Sequence, residues 1–272
     1  MFGKRIPLFR VLGIQINIDL SWFLIAILIT WSLADSLFPS LFKGLTAPTY
    51  WLMGAAGALG LFASILLHEL GHAVVAQRQG IPMRGITLFI FGGVAEMGDE
   101  PPNAKAEFLV AIAGPIVSVI IAVTMFAASF IGAATGLPTP VRGVVVYLGW
   151  INGLLVVFNM IPAFPLDGGR VFRAFLWHLR GDLRWATRIT STIGAIFGLA
   201  LIAVGVVSVL AGNIIGGIWW VVLGVFLRSA AGMSYQQLLL RRTLEGEPVR
   251  RFMRPQPVTV PADMPLDRLV SD

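Results

Sequence analysis

The stretch that decides the fold is LFASILLHELGHAVVAQ, residues 61–77. It is mostly apolar, as a helix that crosses a bilayer must be over about 20 residues. Three ionisable side chains interrupt it, at His68, Glu69 and His72. Residues four apart lie on one face of a helix, so the two imidazoles are neighbours. Because ionisable groups inside a membrane are costly unless they have partners, this stretch predicts a functional site within a membrane-spanning helix.

The composition extends this prediction to the whole chain. Of 272 residues, 57% are hydrophobic and 12% are charged, about half the charged fraction of a typical soluble domain. Such a composition excludes a disordered chain and a disulfide-rich secreted protein. The formal charge of +6 is read as the basic signature of cytoplasmic loops, and not as a nucleic-acid surface.

The hydropathy pattern predicts an all-α polytopic membrane protein with six transmembrane helices. A small N-terminal strand is predicted at residues 14–18 (IQINI), where apolar and polar side chains alternate. The expected spans cover residues 20–38, 51–77, 106–134, 143–162, 187–211 and 214–231. Gly212-Asn213 between the last two spans predicts a tight turn and a helical hairpin.

A membrane-associated β-hairpin is predicted between spans two and three. Residues 85–91 read as a strand, Gly92-Gly93 as the turn, and residues 94–97 as the second strand. At this length the segment is too short to cross a bilayer. Its apolar content indicates that it dips into the membrane, and a surface hairpin is the alternative.

The distribution of basic residues predicts the orientation. Of the 20 Lys and Arg residues, only Lys43 and Arg142 fall in the loops after spans one and three. Since basic residues collect on the cytoplasmic side, both termini are expected there, in a multi-pass protein of the plasma membrane. The site on span two then lies nearer the cytoplasmic side.

The pattern His68-Glu69-Leu70-Gly71-His72 indicates a zinc site. Two imidazoles at i and i+4 can hold one Zn²⁺ while the intervening Glu stays unligated as a general base. The chain contains no Cys, so thiolate ligands are excluded and a third ligand must be a carboxylate or the remaining His. Polar residues that only join helices are the plainer alternative.

The third ligand has four candidates. Glu96 and Glu100 lie in or after the hairpin, and His178 lies in a basic loop that is expected after span four and expected to be solvated. Asp167 follows span four and precedes Arg170, the first basic residue after that span. Asp167 and His68 are therefore both expected near the cytoplasmic side. That depth favours Asp167, although Pro-Leu-Asp-Gly-Gly alone would be read as a turn.

The two motifs together resemble the site-2 protease family of intramembrane zinc metalloproteases, peptidase family M50. The likeness rests on HELGH at 68–72 and NMIPAFPLDG at 159–168, and extends to the Phe91-Gly92-Gly93 segment and Gly114-Pro115. The resemblance implies the following roles: zinc ligands His68, His72 and Asp167; catalytic acid and base Glu69; and Asn159 for substrate or oxyanion binding.

The tail carries a second resemblance. Residues 249–260 (VRRFMRPQPVTV) are similar to the opening of a CBS domain, a nucleotide-sensing module. We therefore expect a membrane metalloprotease domain over 1–240, with a linker and the start of a truncated CBS-like domain over 241–272. Nucleotide binding by the missing CBS region is the implied partner, and an ordinary charged tail is the alternative.

The expected function is hydrolysis of peptide bonds in or near transmembrane segments of membrane-protein substrates. An extended substrate could add to the hairpin edge at the substrate-binding residues Phe91, Gly92, Gly93 and Val94. The alternatives are a membrane-anchored zinc peptidase that acts at the bilayer surface and a zinc-binding membrane protein without activity. The sequence leaves homo-oligomerisation open.

Overall fold

A computed structural model of the chain describes residues 5–244, 248–251 and 253. The first strands are β1 (Arg5–Val11) and β2 (Ile14–Asp19). The first span consists of α1 (Ser21–Ser32), a π-helical segment (Leu33–Leu37) and α2 (Phe38–Leu41). The remaining elements are α3 (Ala47–Arg78), β3 (Met83–Phe89), β4 (Gly92–Met97), α4 (Ala104–Ala134), α5 (Thr139–Asn159), α6 (Asp167–Arg180), α7 (Leu183–Leu210) and α8 (Ile214–Leu244).

Within the described residues, six helical segments are long and apolar enough to cross a membrane, as the hydropathy pattern predicted. Most helices begin or end a few residues beyond the predicted spans. The predicted end of span four at residue 162 was wrong, because α5 ends at Asn159 and prolines follow at 162 and 165. The α7–α8 hairpin is confirmed: Gly212 has a φ of +91°, a conformation that glycine adopts readily. The segments are Ser21–Leu41, Ala47–Arg78, Ala104–Ala134, Thr139–Asn159, Leu183–Leu210 and Ile214–Met233.

The N-terminal segment is a hairpin, so the expectation of one small strand was incomplete. β1 and β2 pair antiparallel, and β2 pairs parallel with β3, giving a four-stranded sheet in the order β1-β2-β3-β4. The predicted alternation in β2 is confirmed, with Ile14 and Ile16 fully buried. Both pack with Ile86 and Ala73, so the sheet covers one side of α3.

The turn between β3 and β4 lies at Ile90-Phe91, and the prediction of a turn at Gly92-Gly93 was wrong. Phe89 pairs with Gly92 and Leu88 with Gly93, so both glycines belong to β4. The two-glycine signal was misleading because these residues meet other requirements. Gly92 has a φ of +125°, and Gly93 lies so close to the Glu69 side chain of α3 that a Cβ would clash with it.

Helix α6 replaces the basic loop expected after span four. Asp167 is its first residue, and the helix is too short to count among the spans. Its inward face carries Arg173, which forms a buried ion pair with Glu107 of α4. The apolar periodicity of this segment was obscured by Arg170, Arg173 and Arg180, which resemble loop residues in a sequence.

The chain divides into two compact units, 1–235 and 236–272. Within the second, the structure describes the end of α8 and one turn of 3₁₀ helix at Val249–Arg251. The CBS-like stretch lies mostly outside the described residues, which do not include 252 or 254–272. The division at residue 240 and the CBS assignment therefore stay predictions.

Candidate metal centre

Three side chains converge between α3 and the start of α6. The Nε2 atoms of His68 and His72 lie 3.1 Å apart. The Asp167 carboxylate places Oδ2 3.0 Å from His68 Nε2 and Oδ1 3.2 Å from His72 Nε2. The three side chains are largely buried. The structure thus brings together residues that are 99 positions apart in the sequence.

The donor set fits a zinc ion. Zinc bonds to nitrogen and oxygen are about 2.0–2.1 Å long, so ligands at two corners of a tetrahedron lie about 3.3 Å apart. The three donor separations of 3.0–3.2 Å are close to that edge. Two imidazoles and one carboxylate are also a known catalytic set that leaves a fourth position open.

The far nitrogen of each imidazole is held by α4. His72 Nδ1 lies 2.7 Å from the carbonyl oxygen of Val110, which can only accept, so Nδ1 carries the proton and donates. His68 Nδ1 lies 2.9 Å from Ser118 Oγ. Such outer hydrogen bonds fix the ring orientation and leave Nε2 as the ligand atom.

One face of α4 provides these contacts. Val110, Gly114 and Ser118 are spaced by four, so they lie in a row along the helix. Gly114 stands between the two hydrogen-bonding positions. A Cβ there would overlap His72 Nε2 and lie 2.6 Å from His68 Nε2. The space that an ion would occupy therefore exists because residue 114 has no side chain.

Glu69 lies beside the donors, under the start of β4. It is half-buried, and a Cβ at Gly93 would come within 2.7 Å of its Cγ. The close approach explains why glycine occupies a position inside the strand. The β3–β4 hairpin is thereby held directly over the carboxylate that lies between the two histidines in the sequence.

Asp167 is positioned by the packing around the start of α6. A Cβ at Gly168 would lie 2.6 Å from the carbonyl oxygen of Ile161, so only glycine lets the helix begin so close to the preceding loop. Arg173 Nε donates to Glu107 Oε1 at 2.6 Å and ties α6 to α4. Glu107 is fully buried.

The electrostatics at Asp167 favour the ionised carboxylate. Burial alone would raise the pKa of the Asp167 carboxyl. When the imidazoles of His68 and His72 carry a proton on Nε2, the charge of His72 and the hydrogen bonds from both rings outweigh that effect and hold the pKa below its usual range; a metal would take the place of those protons. Asp167 is therefore a carboxylate, the form that coordinates a metal.

The other sequence candidates for the third ligand lie elsewhere. Among the described residues, the one group of three that could hold a metal consists of His68, His72 and Asp167. Glu96 Oε1 instead lies 2.8 Å from Arg5 Nη1, in an ion pair between β4 and β1. His178 is exposed in the last turn of α6.

The structure places the remaining predicted site residues at the end of α5 and at the β3–β4 hairpin. Asn159 is the last residue of α5 and is half-buried. Gly92, Gly93 and Val94 begin β4. Phe91 is directed elsewhere in this structure, since its ring stacks on Phe226 of α8 with centroids 4.4 Å apart.

Sequence reasoning missed the supporting residues. Ser118 was visible as a polar residue in an apolar span, four positions after the noted Gly114. The Val110 carbonyl could not be found, because a backbone acceptor has no residue signature. The Glu107–Arg173 pair links two helices that the sequence did not place side by side.

Comparisons with known proteins agree with this geometry. The model of Peptidase family M50 matches residues 56–138 and 137–204. The Mycobacterium tuberculosis (strain H37Rv) protein Rip3 is 40% identical over 94% of this chain and 65% of its own length. Zinc metalloprotease MJ0392 of Methanocaldococcus jannaschii is 31% identical over 97% of this chain and 70% of its own length.

A solved structure shows a similar fold. The site-2 protease from Methanocaldococcus jannaschii matches with a TM-score of 0.56 and 28% identity, over 85% of this chain and 94% of that one. The chain spans about two thirds of the length of Rip3 and of MJ0392.

Proposed function

The chain belongs to peptidase family M50, and on that premise we propose that it is an intramembrane zinc metalloprotease. The observation that carries the proposal is that Asp167, at the start of α6, meets His68 and His72 beside Glu69 on the membrane-spanning helix α3. A protein that only binds zinc has no use for a carboxylate between its two histidine ligands. The substrate class is membrane proteins with transmembrane segments.

His68 Nε2, His72 Nε2 and an Asp167 oxygen would hold the metal. Bound Zn²⁺ supplies Lewis acidity, which lowers the pKa of a coordinated water and polarises a substrate carbonyl. The chain's own groups do the remaining work. Ser118 and the Val110 carbonyl hold the imidazoles, while the Glu107–Arg173 pair keeps α6, and with it Asp167, against α4.

Glu69 is the proton carrier of the proposed reaction. As general base it accepts the proton of the attacking water, and as general acid it passes that proton to the leaving nitrogen of the cleaved peptide. The amide of Asn159 donates a hydrogen bond to the substrate carbonyl oxygen as negative charge develops there. Asn159 lies at the end of α5, eight residues before Asp167, which supports this role.

The open edge of β4 is the proposed docking site. β3 is covered by β2 on its other side, so β4 is an edge strand of the described sheet. A two-residue turn makes Phe89 and Gly92 a hydrogen-bonded pair, so the N–H groups of Gly93 and Ala95 point away from β3. An unwound substrate segment could pair with them along Gly92, Gly93 and Val94, above Glu69. Phe91 would border the entrance.

The docking proposal is tested at Ala95. The N–H group of Ala95 points away from β3 and makes no ladder hydrogen bond to it. Ala95→Pro removes this N–H group, and we expect slower cleavage with unchanged zinc content. Ala95→Val, which keeps the N–H, is the matched control. Equal rates for wild type and Ala95→Pro would argue against strand addition.

The function itself is tested with purified protein and single-span membrane substrates. Wild type should cleave them, a zinc chelator should stop cleavage, and added zinc should restore it. Glu69→Gln should retain the metal and lose turnover by at least about 10²-fold, the lower range for losing a general acid–base. Near wild-type cleavage by Glu69→Gln would refute the assignment.

Three further points belong to the proposal. The distribution of Lys and Arg supports cytoplasmic termini and a site nearer the cytoplasm. The similarity of residues 249–260 to a CBS opening supports a nucleotide-binding region, which adenine-nucleotide binding to the native gene product would test. Homo-oligomerisation stays open and is measured by the mass of the detergent-solubilised protein.

A further inference from the structure

A cleft outside the metal centre lies between the first turn of α4, the loop after α5 and one face of α6. Its volume is about 560 Å³, within the range of about 300–1,000 Å³ that is usual for ligand pockets. Along α6 the lining residues are spaced by three and four, so they form one helical face: Gly168, Val171, Phe172, Ala174, Phe175 and His178. That face is different from the one that carries Arg173 toward Glu107.

The walls of the cleft are apolar and its rim is basic. Phe108 of α4 and Phe172 and Phe175 of α6 are aromatic walls. Of the lining side chains, only Lys105 and His178 are polar, and both are exposed. Among the residues that the structure describes, Lys105 has no ion-pair partner. The cleft therefore combines an apolar interior with an unneutralised positive charge at its mouth.

The cleft lies at the level of one membrane surface. α4 and α5 are consecutive spans joined by residues 135–138, so the start of α4 and the end of α5 are on the same side. α6 follows on that side and exposes Phe175 and Leu179 together with Arg180. Exposed apolar and basic residues on one short helix are typical of a helix at the bilayer interface.

We propose that this cleft binds an anionic phospholipid, with one acyl chain between the aromatic walls and the phosphate at Lys105 and His178. Charge complementarity selects this occupant: a neutral apolar ligand would leave the ammonium of Lys105 without a counter-charge. The side that carries the basic residues is expected to face the leaflet rich in anionic lipids.

The bound lipid would lie beside the loop of residues 160–166, which joins Asn159 to Asp167. Met160 and Gly168 line the cleft, and they are the sequence neighbours of Asn159 and Asp167. A lipid chain there restrains the segment that carries both residues. This consequence depends on the proposed function, whereas lipid binding itself does not, and lipid binding should be the same in Glu69→Gln.

Native mass spectrometry of the detergent-solubilised chain, titrated with phosphatidylglycerol or phosphatidylcholine, tests the site. Wild type should retain one phosphatidylglycerol and bind phosphatidylcholine more weakly. Lys105→Gln should weaken phosphatidylglycerol binding about fivefold, as expected for one Lys beside anionic phosphate. Val171→Trp, which fills the cleft from α6, should abolish retention.

Lys43→Gln is the matched control, because Lys43 is an exposed lysine in the loop after span one. It should bind phosphatidylglycerol like wild type. The proposal is overturned if Lys105→Gln and Lys43→Gln have equal effects, or if phosphatidylcholine binds as tightly as phosphatidylglycerol. It is also overturned if Val171→Trp abolishes the binding of a single-span substrate peptide but leaves the binding of both lipids unchanged.

Discussion

At the scale of single residues, the metal centre depends on the missing side chain at Gly114 of α4 as much as on the two histidines of α3. His68 and His72 could be recognised from their spacing, since both side chains must share a helix face. The empty position at Gly114 and the backbone acceptor at Val110 could not be recognised, because their role depends on how two helices cross. A sequence shows the ligands of such a site more readily than the space between them.

Gly114→Ala should abolish metal binding. The added methyl group would overlap His72 Nε2 and crowd His68 Nε2, so the donors could not close around an ion. We expect zinc content to fall to background and cleavage to fall with it, measured by elemental analysis and substrate cleavage. Gly153→Ala is the control, because a Cβ there has no neighbour within 4 Å. Full zinc occupancy in Gly114→Ala would contradict the packing described.

At the scale of elements, the sequence predicted the spans well and the pieces between them less well. Long apolar runs define helices with little ambiguity, whereas the β3–β4 turn was misplaced because Gly93 is needed for close approach to Glu69. Helix α6 was read as a loop because its inward charge at Arg173 has a buried partner. Local patterns fail where a tertiary contact sets the residue type.

The Glu107–Arg173 pair should determine the stability of the α4–α6 contact. Arg173→Met leaves the fully buried carboxylate of Glu107 without its partner, which costs about 3–5 kcal/mol for a buried ion pair. We expect a lower unfolding temperature and weaker zinc binding, because α6 carries Asp167. Arg184→Met, at an exposed position, is the control. A variant as stable as wild type would show that the pair does not anchor α6.

At the scale of the whole molecule, the described part of the chain has six candidate spans, and its site combines two side chains of the span α3 with one of the shorter helix α6. Hydropathy alone gave the number of spans, since each must bury about 20 apolar residues. It could not give the four-stranded sheet, because the parallel pairing of β2 with β3 joins strands that are more than 60 residues apart along the chain.

The orientation can be measured directly because the chain has no Cys. Single cysteines at Lys43 and Arg180 should differ in intact cells. A membrane-impermeant maleimide should label Lys43→Cys, which is expected outside, and should label Arg180→Cys only after the cells are permeabilised. The reverse pattern would place the basic loops and both termini on the outer side.

The most direct test of the central claim is the zinc content of three purified proteins. Wild type and Glu96→Ala should each contain about one zinc per chain, because Glu96 pairs with Arg5 and lies outside the donor group. Asp167→Ala should lose most of the metal and all cleavage, since two histidines alone hold zinc weakly. If Asp167→Ala kept its zinc and its activity, the ion would not be held between α3 and α6, and this account of the site would be wrong.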